Sequence, residues 1–146
     1  MSKIVPFLNF AGQAAQAMAL YEKAFDAKII TKLTYADMNP ADALSEVKDG
    51  HKNFIGYSEI EIRGQIISLY DDSSASENCT PVSGNACLID LLVHFDSDEE
   101  IKKAYEILSE GATITAPLYS QTYCSLTCVL IDKFGGRWQL MSGYKG

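Results

Sequence analysis

Two stretches of the chain carry the same alternation of apolar and polar positions. Residues 4–72 and 86–142 each open on a short apolar strand, continue as a helical stripe, and close on two strands joined by a turn. In the first stretch the strand is Ile4–Phe10 and the helix Gln13–Phe25, where Ala14, Ala17, Met18, Tyr21 and Phe25 recur at helical spacing. Ala27–Tyr35 alternates as a second strand, and Tyr57–Ile62 with Gln65–Tyr70 form a hairpin around Arg63-Gly64. In the second stretch Cys87–Phe95 is the strand and Glu99–Glu110 the helix. Ile101, Ala104, Tyr105 and Leu108 form the helix stripe, Asp96-Ser97-Asp98 its start and Gly111 its stop. Thr113–Ala116, Leu126–Ile131 and Arg137–Met141 complete it, the last two flanking residues 132–136.

The order is therefore βαβββ, twice. Neither copy can bury its apolar faces alone, so the repeat sets the architecture: an α+β fold of two βαβββ modules whose curled half-sheets, placed edge to edge, make a cleft. Module 1 covers residues 1–72, a linker covers 73–85 within the stretch Asp71–Asn85 that is rich in Ser, Asp, Asn, Pro and Gly, and module 2 covers 86–146, all within one domain. In each module one helix covers one sheet face and leaves the other free to line a cleft or meet another chain. On the first hairpin arm Ser58, Ile60 and Ile62 share one face, and Tyr57, Glu59 and Glu61 the other. Residues 36–53, the longest polar connection of the first module, are a candidate loop over a site.

Composition narrows the partners. A net charge of −7 without a basic stripe argues against nucleic acid. No window approaches the roughly 18 apolar residues of a membrane span, and the first residues lack the apolar core of a signal peptide, so a cytoplasmic location is expected.

Candidate chemistry is sparse. There is no nucleophile elbow, no phosphate-binding glycine loop and no His-Glu-x-x-His. The two histidines, His51 in the polar loop and His94 near a strand end, rule out a three-histidine metal site and read as an exposed loop residue and a structural residue. Cys124 and Cys128 share a strand face but stand about 13 Å apart, too far for one zinc. Asp71-Asp72 reads as a turn and Asp98-Glu99-Glu100 as a helix start. Glu59 and Glu61 either point into a cleft or protect a strand edge. The aromatic set is more suggestive: Tyr57, Tyr70, Tyr119, Tyr123 and Trp138 fall on the closing strands or beside them, and aromatics with a polar tip suit a small-molecule pocket, a core or an interface.

Several local stretches resemble one family. Pro6-Phe7-Leu8-Asn9-Phe10, Leu20-Tyr21-Glu22-Lys23-Ala24-Phe25, Ser58-Glu59-Ile60-Glu61-Ile62-Arg63-Gly64 and Asp132-Lys133-Phe134-Gly135-Gly136-Arg137-Trp138 look like the PhnB-like branch of the vicinal oxygen chelate superfamily, which includes glyoxalase I, bleomycin-resistance proteins and extradiol dioxygenases. The resemblance implies that the two βαβββ modules form a cup-shaped mixed sheet, usually in a homodimer, and, in metal-bearing members, a divalent ion held by the first and last strands of each module. Carried over by pattern, those positions fall near Pro6, Ser68, Asp90 and Gln139. Pro6 has no donor side chain and Ser68 is a poor ligand, whereas about three protein ligands are the norm. The expectation is a small-molecule-binding protein with no metal cofactor, its ligand met by Tyr57, Ser68, Tyr70, Asp90, Tyr123, Trp138 and Gln139. The alternative is a metal-dependent lyase, isomerase or dioxygenase acting on a small oxygenated substrate, and a third reading is a scaffold that only dimerises.

Overall fold

The computed structural model describes residues 2–39, 47–73 and 89–146. The chain divides into two compact units, residues 1–80 and 81–146, and each contains one four-stranded mixed sheet and one α-helix. This is an α+β architecture of two βαβββ units, and neither sheet closes into a barrel. No described helix is long and apolar enough to cross a membrane.

In the first unit β1 (Phe7–Phe10), α1 (Ala14–Phe25), β2 (Lys28–Thr34), β3 (Ile55–Ile62) and β4 (Gln65–Asp71) assemble in the sheet order β1-β4-β3-β2. β1 runs parallel to β4, and the other neighbours are antiparallel. The first strand is shorter than its apolar run because Pro6 cannot donate, although the Pro6 carbonyl still accepts the Ser68 amide at 2.9 Å. Arg63 and Gly64 both have positive φ, 49° and 85°, the signature of a type I′ turn that matches strand twist.

Helix α1 buries Ala14, Ala17, Met18, Tyr21, Ala24 and Phe25 against Ile60, Ile62, Ile67 and Leu69. Each large apolar side chain buried there contributes about 1.5–3 kcal/mol before entropy is counted. The start of α1 has no cap of its own, since the Gln13 side chain makes no capping bond. Asp71, fully buried at the end of β4, supplies it: Oδ1 accepts the amides of Gly12 and Ala14, both at 2.9 Å, and Oδ2 accepts the amide of Ile55 at 2.8 Å. Gly12 has φ 103°, and a Cβ there would approach the Phe54 ring to 2.7 Å, so the tight entry to α1 requires glycine.

The second unit repeats the arrangement with β5 (Leu91–Phe95), α2 (Asp98–Ser109), β6 (Thr113–Gln121), β7 (Cys124–Ile131) and β8 (Arg137–Ser142), in the order β5-β8-β7-β6. Here the cap is local, the Ser97 hydroxyl accepting the Glu100 amide at 3.2 Å. The strand positions expected at 87 and 88, like most of the expected linker, lie outside the described residues. Strand β6 extends well past the expected Thr113–Ala116 and runs through Pro117. It is an edge strand with irregular pairing around Ala116, where a missing donor costs little.

His51 corrects an expectation. It is 7% exposed, not an exposed loop residue; Nδ1–H donates to the Ser73 carbonyl at 3.1 Å, and its ring stacks on Phe54 at 4.2 Å. Asp71, read as part of a turn, is the strand residue that organises the start of α1.

Candidate functional site

The two faces of the first sheet follow from strand alternation. Asp71 reaches the start of α1, so Asp71, Leu69 and Ile67 share the helix face, and Tyr70, Ser68 and Ile66 share the other. Cross-strand register then places the remaining side chains of the helix-free face. One row across the sheet runs Thr31, Glu59, Ser68, Phe7. Along one side of that row stand Leu33, Tyr57, Tyr70 and Asn9, and along the other Lys28, Glu61 and Ile66.

Phe7 is the centre of an aromatic cluster. Its ring centroid lies 4.7 Å from that of Tyr70 and 6.1 Å from that of Tyr57, the latter pair edge to face. Phe7 nevertheless remains 54% exposed. Ser68, small and 5% exposed, sits between Phe7 and Glu59 and forms the floor of the patch. The structure thus brings together three of the residues expected to meet a ligand, Tyr57, Ser68 and Tyr70. Phe7 was missed because, in an apolar run of unknown register, it reads as core.

In the second unit Ser142 Oγ donates to Asp98 of α2 at 2.6 Å, so Ser142, Leu140 and Trp138 face the helix and Gln139 faces away. Trp138 is fully buried there, its indole Nε1–H donating to Asp132 Oδ2 at 2.8 Å. It is a core residue of the helix side and does not share a face with Gln139. Gln139 Nε2 donates to Thr127 Oγ1 at 3.3 Å, and Leu92 stands directly opposite on β5. Asp90 lies one strand position before β5 and pairs with Arg137, Nε to Oδ1 at 2.7 Å. Tyr123 is exposed in the β6–β7 turn, about 20 Å along β7 from the register of Gln139. His94 is exposed on the same face as Leu92, its ring 5.4 Å from that of Tyr144.

Cys124 and Cys128 are both buried free thiols. Burial pushes the Cys128 thiol up to about 11, against a smaller opposing hydrogen bond at Leu140. It is therefore protonated and inert at neutral pH.

Residues 2–141 match the family model described as 3-demethylubiquinone-9 3-methyltransferase. The chain belongs to this family. Among solved structures it is similar to a PhnB protein from Bacillus cereus, at 26% identity and TM-score 0.74 over 97% of this chain and 99% of that one. A protein from Pseudomonas aeruginosa shares the fold at 20% identity and TM-score 0.77, covering 97% and 98% of the two chains. So does a glyoxylase/bleomycin resistance protein/dioxygenase domain from Frankia, at 14% identity and TM-score 0.66, covering 100% and 95%. The family match and the Bacillus cereus neighbour mark the chain as PhnB-like, and the Frankia domain shows that it shares the fold of the glyoxalase/bleomycin resistance/dioxygenase superfamily. None of the curated proteins matches it significantly in sequence.

The metal positions of that superfamily can be tested against the strand register. Opposite Ser68 stands Phe7, and opposite Gln139 stands Leu92, so the first-strand residues level with those two positions are hydrocarbons, and Asn9 and His94 occupy the next positions on the same faces. Pro6 offers only a carbonyl that already accepts the Ser68 amide, and Asp90 is engaged by Arg137. Among the described residues no three His, Cys, Asp or Glu side chains converge. These positions do not fit a divalent ion, which takes about three oxygen, nitrogen or sulfur donors in one shell.

Proposed function

We propose that the protein binds a small organic molecule carrying an aromatic group on the helix-free face of its first sheet, and that it does so without a divalent ion. The observation that carries this reading is the Phe7, Tyr57 and Tyr70 cluster around Ser68, with Phe7 half exposed beside two rings. A bare phenyl ring kept at the surface next to two others offers a ready stacking partner. The apolar residues at both first-strand positions support the metal-free part of the reading.

Binding is tested with naphthylmethanol, followed through the ring resonances of Phe7, Tyr57 and Tyr70 by NMR. Those resonances should shift together, and Phe7→Ala should weaken the affinity about tenfold or more, the loss of one well-packed aromatic contact. Metal analysis of the purified protein tests the other half: stoichiometric nickel, zinc, iron or manganese would favour a metal-dependent lyase, isomerase or dioxygenase instead.

A homodimer is part of the same proposal. Its support is apolar surface on the edge strands, Ile30 and Leu33 on β2 and Ile114 and Tyr119 on β6. Light scattering coupled to gel filtration gives the mass directly, and a monomer at micromolar concentration would remove this element.

A further inference from the structure

The aromatic patch has an acidic neighbour whose surroundings are unusual. Glu59 projects from the helix-free face in the same row as Ser68 and Phe7, one same-face position along β3 from Tyr57. Its cross-strand neighbours are Thr31 and Ser68, neither of them charged. Glu61, the next acid on that face, stands directly opposite Lys28. Glu59 has no cation directly opposite it, and among the described residues neither acid forms an ion pair. It is also only partly exposed, so its charge is less completely hydrated than that of a free surface carboxylate.

Resting on the proposed binding of an aromatic molecule at this face, we infer that the ligand is an organic cation, with Glu59 as its counter-ion. Two features converge on that class. The faces of Phe7, Tyr57 and Tyr70 carry the negative end of the ring quadrupole, which attracts ammonium and related cations. The uncompensated carboxylate lies across the Ser68 floor from Phe7, two strand spacings or about 10 Å away. A molecule with an aryl group at one end and a quaternary or protonated amine at the other spans that distance, its ring against Phe7 and its charge near Glu59 and Tyr57. The overall charge of −7 draws cations towards the protein and keeps anions away. An anionic or neutral ligand of the same shape would leave Glu59 unpaired under the ligand, where desolvation raises the cost.

The test compares three probes sharing one ring system: naphthylmethyl trimethylammonium, naphthylmethanol and naphthylacetate. Each is titrated against the wild-type protein and against Glu59→Gln and Glu61→Gln, with the ring resonances of Phe7, Tyr57 and Tyr70 as readout. The cation should bind about tenfold tighter than the alcohol, and the acetate weakest, with the gap narrowing as salt is added. Glu59→Gln should reduce the preference to near parity, weakening the cation and strengthening the alcohol, which no longer covers an unpaired charge. Glu61→Gln should retain most of it, because Glu61 stands outside the row of Ser68 and Phe7 and has Lys28 directly opposite in the register. Equal binding of cation and alcohol by the wild type would overturn the cation inference and leave the aromatic site intact. Preference surviving in Glu59→Gln would overturn the role of that residue. If no probe moves the three rings, the binding reading itself falls. Unfolding curves of each variant confirm that a lost preference is not a lost fold.

Discussion

The indole of Trp138 donates to Asp132 Oδ2 at 2.8 Å inside the second unit, while Asp132 Oδ1 accepts the amides of Phe134 and Gly136 at 2.8 and 3.0 Å. One buried carboxylate therefore shapes the β7–β8 turn and fixes the chain's only tryptophan beneath it. This gives the Asp-Lys-Phe-Gly-Gly-Arg-Trp stretch a structural explanation independent of any ligand. Trp138→Phe should cost about 2 kcal/mol in urea unfolding, because it removes the indole hydrogen bond to Asp132 Oδ2 and part of a fully buried ring. Native emission should be blue-shifted and resist acrylamide, and naphthylmethanol at the Phe7 patch should leave it unchanged. A ligand that quenches it in proportion to occupancy would put Trp138 at the binding site.

Asp71 holds three backbone amides from two separate segments, whereas Ser97 holds one. Asp71→Ala should therefore destabilise the protein by about 3 kcal/mol, and Ser97→Ala by about 1 kcal/mol, both read from denaturant midpoints at constant slope. Equal costs would mean that the long-range cap contributes no more than the local one.

The buried thiol of Cys128, with its titration pushed up to about 11, should resist iodoacetamide at neutral pH in the native protein and react promptly in urea. Intact mass spectrometry of native and denatured samples reads the difference. Labelling of Cys128 under native conditions would show that the second sheet opens far more readily than its packing implies.

Tyr35 donates its phenolic hydrogen to the Asp71 carbonyl at 2.6 Å. Burial raises its ionisation above the ordinary value of 10.0, with Asp71 and Asp72 adding to the effect and a Ser73 hydrogen bond opposing it. The folded state thus favours the protonated phenol. The stability this contributes is fully present below the unfolded value, and it is lost as pH rises through the raised folded one. The stability gap between wild type and Tyr35→Phe should be constant at neutral pH and shrink in alkaline solution, measured by denaturation across that range. A gap that widened instead would contradict the raised ionisation.

The periodicity of the sequence revealed the helices and the inner strands well, because each has a clear buried stripe, whereas the edge strands β2 and β6 bury no side chain and the extent of β6 was missed. Ser58, Ile60 and Ile62 separate cleanly from Tyr57, Glu59 and Glu61, and the structure keeps that division. What periodicity cannot reveal is which residue stands across from which. The pairing of Phe7 with Ser68, and of Leu92 with Gln139, depends on parallel strands joined through distant segments. Shifting either register by one residue would turn every side chain to the other face. Trp138 illustrates the same point: beside Gln139 in sequence, it lies on the opposite side of the sheet. Asp71 left no local signal at all, since its partners Gly12 and Ala14 lie 59 and 57 residues away.

The contrast between the two helix caps has a kinetic consequence. Helix α2 carries its own start signal within four residues, so it can nucleate while the rest of its unit is still unfolded. Helix α1 waits for β4, because its first amides find their acceptor only when Asp71 arrives from far along the chain, and such loop closures are slow. Two copies of one architecture should therefore fold on different clocks. Pulse-labelled hydrogen exchange would read this as protection of the α2 amides ahead of those of α1, with Asp71→Ala delaying only the latter.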